Sequence, residues 1–270
     1  MSGFLMSTDE LERRLGEDGL VIVDLGKAET YAQAHIPSAV FCNYADILRH
    51  AKPVMGLVPE EQQFAEVLSK LGIKPSDLVV AYDDEGGGKA GRFLWTLELT
   101  GHKQYALLDG GLHAWYGQGR PLSNEATANP DPSDYPVNWC NDDCLANRDF
   151  ILYHLNNNDV VIVDARSPEE YTGSKVFAQQ GGHIPGAVNY EWTQAMDKDL
   201  HMTMRDAEKV MQELALLGIT PDKEIVVHCQ THHRSSYTWI MLRHLGFTKV
   251  RGYPGSWSDW GNIAGIPVER

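Results

Sequence analysis

Ile225-Val226-Val227-His228-Cys229-Gln230-Thr231-His232-His233-Arg234 is the stretch that decides how this chain folds. Its apolar opening lacks polar alternation, the pattern of a strand buried on both faces of a parallel sheet. A short polar loop follows, and the residues beyond it read as a helix. Strand, tight loop and helix in that order gather backbone N–H groups around the loop, and the helix N-terminus adds partial positive charge. Cys229 opens that ring and Arg234 closes it. The thiol is therefore expected to be a low-pKa nucleophile beside an anion, not a packing residue.

Composition bounds what surrounds this loop. The chain has 270 residues, 43% of them hydrophobic, and a formal net charge of -14. Its length fits one large domain or two ordinary ones. An acidic surface argues against nucleic acid or an anionic membrane as partner. The segment Met1 to Glu10 has neither a basic start nor a long apolar run, and no apolar run is long enough for a membrane span. Cys42, Cys140, Cys144 and Cys229 are too few for a disulfide framework, so a reducing cytoplasm is expected. Cys140 and Cys144 could be half of a metal site, but nothing nearby completes four ligands, and no metal or cofactor is expected.

The chain is written twice. Val21-Ile22-Val23-Asp24 matches Val161-Ile162-Val163-Asp164, and Tyr31 with His35-Ile36-Pro37-Ser38-Ala39-Val40 matches His183-Ile184-Pro185-Gly186-Ala187-Val188. Leu71-Gly72-Ile73 matches Leu217-Gly218-Ile219, and Asp109-Gly110-Gly111 with Trp115 matches Pro254-Gly255-Ser256 with Trp260. Repeated blocks in one order mean two copies of one domain. Ala207, Val210, Met211, Leu214 and Leu217 mark one helix face, ended by Gly218 and Pro221; Phe64, Val67, Leu68 and Leu71 repeat the pattern before Gly72 and Pro75. Apolar strands at Val79–Ala81 and Ile225–Val227 follow directly. Ser7 to Glu10 reads as a capping box. The fold class is α/β: two tandem domains, each a parallel β-sheet flanked by α-helices, over 1–122 and 146–270, with 123–145 as linker.

The copies differ where chemistry is expected. Asp83, or Asp84 after a one-residue slip, stands opposite Cys229, in the loop Asp83-Asp84-Glu85-Gly86-Gly87-Gly88. With no nucleophile and with carboxylates that repel anions, the first copy is expected to be inactive and to wall the cleft. A divalent-metal site at Asp83, Asp84 and Glu85 lacks further ligands to complete it. His228 reads as packing, His232 and His233 as loop residues that are either inert or tune the potential, and Arg234 as an anion contact. Arg166 either pairs with Asp164 alone or also reaches the substrate. Trp192 is equally core or pocket wall, and His183 is expected to hold a turn.

These motifs together resemble the tandem-domain rhodaneses, over nearly the whole chain. The His-Ile-Pro-Ser/Gly-Ala blocks at His35 and His183 resemble the family's amino-terminal signature, and Tyr253-Pro254-Gly255-Ser256-Trp257-Ser258-Asp259-Trp260 its carboxy-terminal one, with Asp259 where Glu is usual. Asp83 through Gly91-Arg92-Phe93 and Trp95 resembles the inactive-domain loop, and Cys229 to Arg234 is similar to the loop of a bacterial rhodanese subgroup. The resemblance implies sulfane-sulfur transfer from thiosulfate through a Cys229 persulfide to cyanide, a thiol or a sulfur-acceptor protein. It implies Gln230, Thr231, His232, His233, Arg234 and Arg166 as substrate-binding residues, without metal or cofactor. A monomer is expected, since two copies of one domain can cover one another's faces. Vertebrate thiosulfate enzymes carry Arg where Glu170 stands here, and Arg and Lys after the cysteine. Mercaptopyruvate sulfurtransferases begin the loop with Cys-Gly-Ser or Cys-Gly-Thr. The physiological donor is thus open, with 3-mercaptopyruvate the alternative and Arg166, Gln230 or Thr231 its candidate contacts. Cys-dependent phosphatases of similar fold place five residues between Cys and Arg; here four separate Cys229 from Arg234, a ring better sized for one sulfur atom. A non-catalytic adaptor is disfavoured by the intact Cys229 and Arg234.

Overall fold

The computed structural model describes residues 3–125, 127, 130–140 and 142–270. In chain order its strands begin with β1 (Leu5–Met6), β2 (Leu20–Asp24), β3 (Val40–Phe41), β4 (Arg49–Ala51), β5 (Val54–Leu57), β6 (Leu78–Tyr82) and β7 (Tyr105–Leu108). They continue with β8 (Val160–Asp164), β9 (Val188–Asn189), β10 (Met196–Asp197), β11 (Thr203–Met204), β12 (Glu224–His228) and β13 (Val250–Gly252). The first helices are α1 (Thr8–Arg14), α2 (Ala28–Gln33), α3 (Glu61–Lys70), α4 (Gly88–Leu99) and α5 (Gly111–Gly117). The others are α6 (Arg148–His154), α7 (Pro168–Tyr171), α8 (Ala207–Leu216), α9 (Arg234–His244) and α10 (Ser256–Trp260).

The chain divides into two compact units that are not contiguous halves. Residues 1–48, 59–140 and 196–204 form the first; residues 49–58, 141–195 and 205–270 form the second. The hairpin β4–β5, early in the sequence, thus belongs to the second unit, and the pair β10–β11, late in the sequence, to the first. Of the expected linker, residues 126, 128, 129 and 141 lie outside the described residues. Its described residues up to Cys140 are pinned along the first unit, and those from Asp142 on belong to the second. Ser123 exchanges backbone hydrogen bonds with His35, the Ser133 hydroxyl donates to Ile73 O at 2.5 Å, and Cys140 N donates to Leu99 O at 2.9 Å.

The first unit holds a five-stranded parallel sheet in the order β1-β7-β6-β2-β3; the second holds four parallel strands in the order β13-β12-β8-β9. Val79, Val80, Ala81, Ile225, Val226 and Val227 are all buried, which is why neither strand shows polar alternation. Each unit closes its own core: Met6, Ile22, Val80, Leu108 and Trp115 in one, Ile162, Ile184, Val226, Trp257 and Trp260 in the other. Burying such side chains contributes roughly 1.5–3 kcal/mol each.

The predicted helix faces form with one adjustment. Phe64, Val67, Leu68 and Leu71 are buried as expected. On α8 only Val210 and Leu214 are fully buried; Leu217 is 38% exposed, and Ile219 beyond the Gly218 turn takes its place in the core. Ser7 caps α1 by accepting the Glu10 N–H at 3.2 Å. A reciprocal capping box forms elsewhere, between Ser167 and Glu170 at the start of α7. The His-Ile-Pro block has one structural job in both copies. His35 Nδ1 meets Tyr31 O at 2.7 Å and His183 Nδ1 meets Tyr171 O at 2.9 Å, each imidazole stacked on that tyrosine.

Candidate active site

Strand register equates the two copies residue by residue. Asp24 lies opposite Tyr82 between β2 and β6, and Asp164 lies opposite His228 between β8 and β12. The residues next in line are Asp83 and Cys229, so it is Asp83, not Asp84, that stands where the thiol stands.

Cys229 leaves the C-terminal end of β12 and opens the five-residue loop that leads into α9. Its side chain is fully buried, yet in a polar cup rather than in hydrocarbon. Burial alone would raise its pKa. The Arg234 charge, the Ser235 hydroxyl and the backbone N–H groups of Ser235 and Thr231 outweigh that and hold the thiol below its ordinary value. His232 Nδ1 lies 2.8 Å from Ser235 Oγ. When that hydroxyl points its proton at the sulfur, His232 Nδ1 must carry the proton it donates to Ser235. His232 is itself fully buried with φ 55°, a left-handed conformation that places its backbone inside the ring.

The loop is clamped from two sides. At the N-terminus of α10, Trp257 N donates to Cys229 O and Ser258 N donates to Gln230 O, both at 2.9 Å, while Cys229 N donates to Ser256 Oγ at 3.3 Å. The hairpin β4–β5 supplies the other side. Met55 is bound at both backbone atoms by the Ser258 hydroxyl, at 3.1 and 3.2 Å. Gly56, at φ 84°, lies so close to the loop that a Cβ there would sit 2.4 Å from Thr231 O. Only glycine fits this approach.

Below the loop lies a buried charge system. The Arg166 guanidinium, 1% exposed, binds Asp164 at 2.5–3.0 Å and Gly182 O at 2.8 Å, and lies 4.4 Å from the Trp257 ring centroid. It is a structural partner of Asp164, the pairing the sequence allows for. His228 Nε2 stands 3.7 Å from Asp164, but burial, the dominant effect, holds its pKa below the ordinary value. It reads as a packed neutral imidazole. Arg234 forks onto Glu170, with Nη1 to Oε2 at 2.6 Å and Nη2 to Oε1 at 2.9 Å. Its charge reaches the thiol while the geometry of that charge is set by a carboxylate. Gln230 Nε2 donates to Phe177 O at 3.4 Å, and the His233 ring lies 6.4 Å from Trp192, which is half-buried and also edge-on to Tyr237 at 6.1 Å. Trp192 is thus a side wall of the loop's helix rather than core.

Ser235, Ser258 and Gly56 are not marked by the sequence as parts of this site, and Glu170 is marked only as the position where vertebrate thiosulfate enzymes carry Arg. The Ser167-Pro168-Glu169-Glu170 capping pattern was the available signal for Glu170; nothing local betrays Gly56, which arrives from the other half of the chain.

In the first copy the cup is already full. The Asp83 carboxylate, fully buried, accepts N–H bonds from Glu85 at 3.0 Å, Gly87 at 2.7 Å and Ala90 at 2.9 Å. Asp84 accepts from Lys27 N and the Thr30 hydroxyl, and Lys89 pairs with both Asp84 and Glu85. Those carboxylates are answered by the protein itself. Among the described residues no cluster of three or more His, Cys, Asp or Glu side chains is placed to hold a metal. Cys140 is exposed and Cys144 buried, and neither is in a disulfide.

Comparison with known proteins bears on the same regions. A family model described as a rhodanese-like domain matches residues 7–118 and again 149–263. The chain is 47% identical over 261 residues to a thiosulfate sulfurtransferase of Azotobacter vinelandii, covering 96% of this chain and 94% of that one. It is 42% identical to a thiosulfate sulfurtransferase of Pseudomonas aeruginosa, covering 98% and 96%. It is 34% identical to the sulfur carrier protein TtuD of Thermus thermophilus, again covering 98% and 96%. An anaerobic ergothioneine biosynthesis enzyme from Chlorobium limicola superposes with a TM-score of 0.87 at 21% identity, over 98% of this chain and 70% of that one, a likeness of fold.

Proposed function

The chain belongs to the rhodanese-like family, and from that premise we propose that it is a thiosulfate sulfurtransferase working through a persulfide on Cys229. The observation that carries the reading is the thiol set among the Thr231 and Ser235 N–H groups and the Ser235 hydroxyl, under the charge of Arg234. The Cys229 thiolate attacks the outer sulfur of thiosulfate. A bond forms between the two sulfurs, the bond to the sulfonate breaks, and sulfite leaves with its electron pair. The terminal sulfur of the resulting persulfide takes the place of the thiolate in the cup, where fixed N–H dipoles hold its charge. A nucleophilic acceptor then attacks that terminal sulfur and returns the thiolate. Cyanide leaves as thiocyanate; a thiol or a sulfur-acceptor protein leaves carrying the sulfur. No general base is needed once the thiolate exists, and the cycle is double displacement.

The four separating residues favour this reaction over phosphate-ester hydrolysis, because the N–H groups converge on one buried atom. We place the enzyme in the reducing cytoplasm, where a thiolate nucleophile is kept from oxidation. Cys229→Ala removes the attacking atom. It is expected to form no cyanolysable persulfide with thiosulfate, measured at 335 nm or by mass, while retaining the wild-type circular dichroism spectrum. Turnover close to wild type in that variant sinks the reading.

A further inference from the structure

Glu170 is the acidic group most tightly bound to the charged end of the loop, and sulfur transfer as described above gives it no part. It is 3% exposed and sits at the third position of α7, where the Ser167 N–H donates to Oε2 at 3.4 Å and fixes the carboxylate. From there it takes both outer nitrogens of Arg234 in one fork. The second arginine nearby, Arg166, is matched by Asp164 through Nε and Nη2, and burial disfavours a charge on His228. Each arginine beside the loop is thus answered by a carboxylate, and Glu170 offsets part of the attraction that Arg234 offers an anion. That offset weighs about twice as heavily on a doubly charged donor as on a singly charged one.

We propose that Glu170, acting through Arg234, sets how strongly the loop discriminates between sulfur donors by charge, tempering its attraction for a dianion more than for a singly charged sulfane donor. This deepens the sulfurtransferase reading and rests on it. Glu170 is a positioning residue: it touches the arginine, not the reacting sulfur.

The test compares two donors that deliver the same sulfur: thiosulfate, a dianion, and methanethiosulfonate, a monoanion that leaves as methanesulfinate when the thiolate takes its outer sulfur. Glu170→Gln keeps a capping-competent side chain at that helix position and removes only the charge. The expected result is a rise of about tenfold in the ratio of kcat/KM for thiosulfate to kcat/KM for methanethiosulfonate, carried by KM for the dianion. A purely structural role would move both donors together and leave the ratio alone. An unchanged ratio with both donors turning over overturns this proposal only. Failure of both donors to load Cys229 in the unaltered protein overturns the sulfurtransferase reading and this proposal with it. The unaltered protein gives a second measurement. As salt rises, the donor ratio falls little where Glu170 offsets Arg234; a ratio that falls steeply marks an uncompensated arginine and refutes the idea.

Discussion

Gly56→Ala is the most searching perturbation of the loop, because it acts through backbone placement without touching any chemical group. Two costs separate cleanly. The first is conformational: at φ 84° an alanine costs roughly 1–2 kcal/mol. Gly218, at φ 75° with nothing within 4 Å of an added Cβ, carries that cost and no other, so Gly218→Ala is the matched control. The second cost is contact. The added Cβ at Gly56 falls 2.4 Å from Thr231 O and 3.0 Å from Thr231 Cβ, so strand or loop must move by about 1 Å. Thr231 gives one of the N–H groups that hold the thiolate, and a misplacement of that size at a reacting centre costs about 100-fold. Thermal melts and steady-state kinetics with thiosulfate and cyanide measure both. The expectation is a loss of about 1–2 kcal/mol with full activity in Gly218→Ala, and a larger loss of stability with kcat/KM lower by about 100-fold in Gly56→Ala. Activity within threefold of the control, or above it, refutes the reasoning that the hairpin sets the loop.

Two further outcomes follow from ionisation. The rate of Cys229 alkylation by iodoacetamide should reach its plateau at a pH below that of a free thiol, about 8.5, because Arg234 and the loop N–H groups favour the thiolate; Arg234→Gln should move the midpoint upward, and an unmoved midpoint argues against the arginine's role. Asp24, buried at the end of β2, is raised to about 6 from 3.8, so the folded state holds an extra proton between those values. Its share of stability is therefore present at low pH and lost as pH rises through about 6, at most about 3 kcal/mol. Urea midpoints for Asp24→Asn should lack that slope between pH 4 and pH 7; a wild-type slope contradicts the assignment.

The fold was legible because its signals are local. Continuous apolar strands, Gly218 and Gly72 at helix ends, and paired His-Ile-Pro blocks each state their structure within a few residues. The thiol and the residue that replaces it were legible for the same reason, since a strand end and a helix start bracket each loop. The pairing of Arg166 with Asp164 was legible as one of two readings, but its bond to the Gly182 carbonyl is set by packing, which a strand-end arginine does not report. Glu170 and Gly56 act across 64 and 175 residues of sequence; the capping pattern at Ser167 sets Glu170 at a helix start without naming its partner, and nothing local reports Gly56. The domain boundaries hid a similar exchange, with one short segment of each half clustering with the other unit.

The buried aspartate of the first copy gives that loop a built-in anion. Three main-chain amides there are satisfied by a resident oxygen pair. A side chain that cannot accept, as in Asp83→Ala, would strand those amides in the interior, at a cost of about 1–3 kcal/mol for each one orphaned.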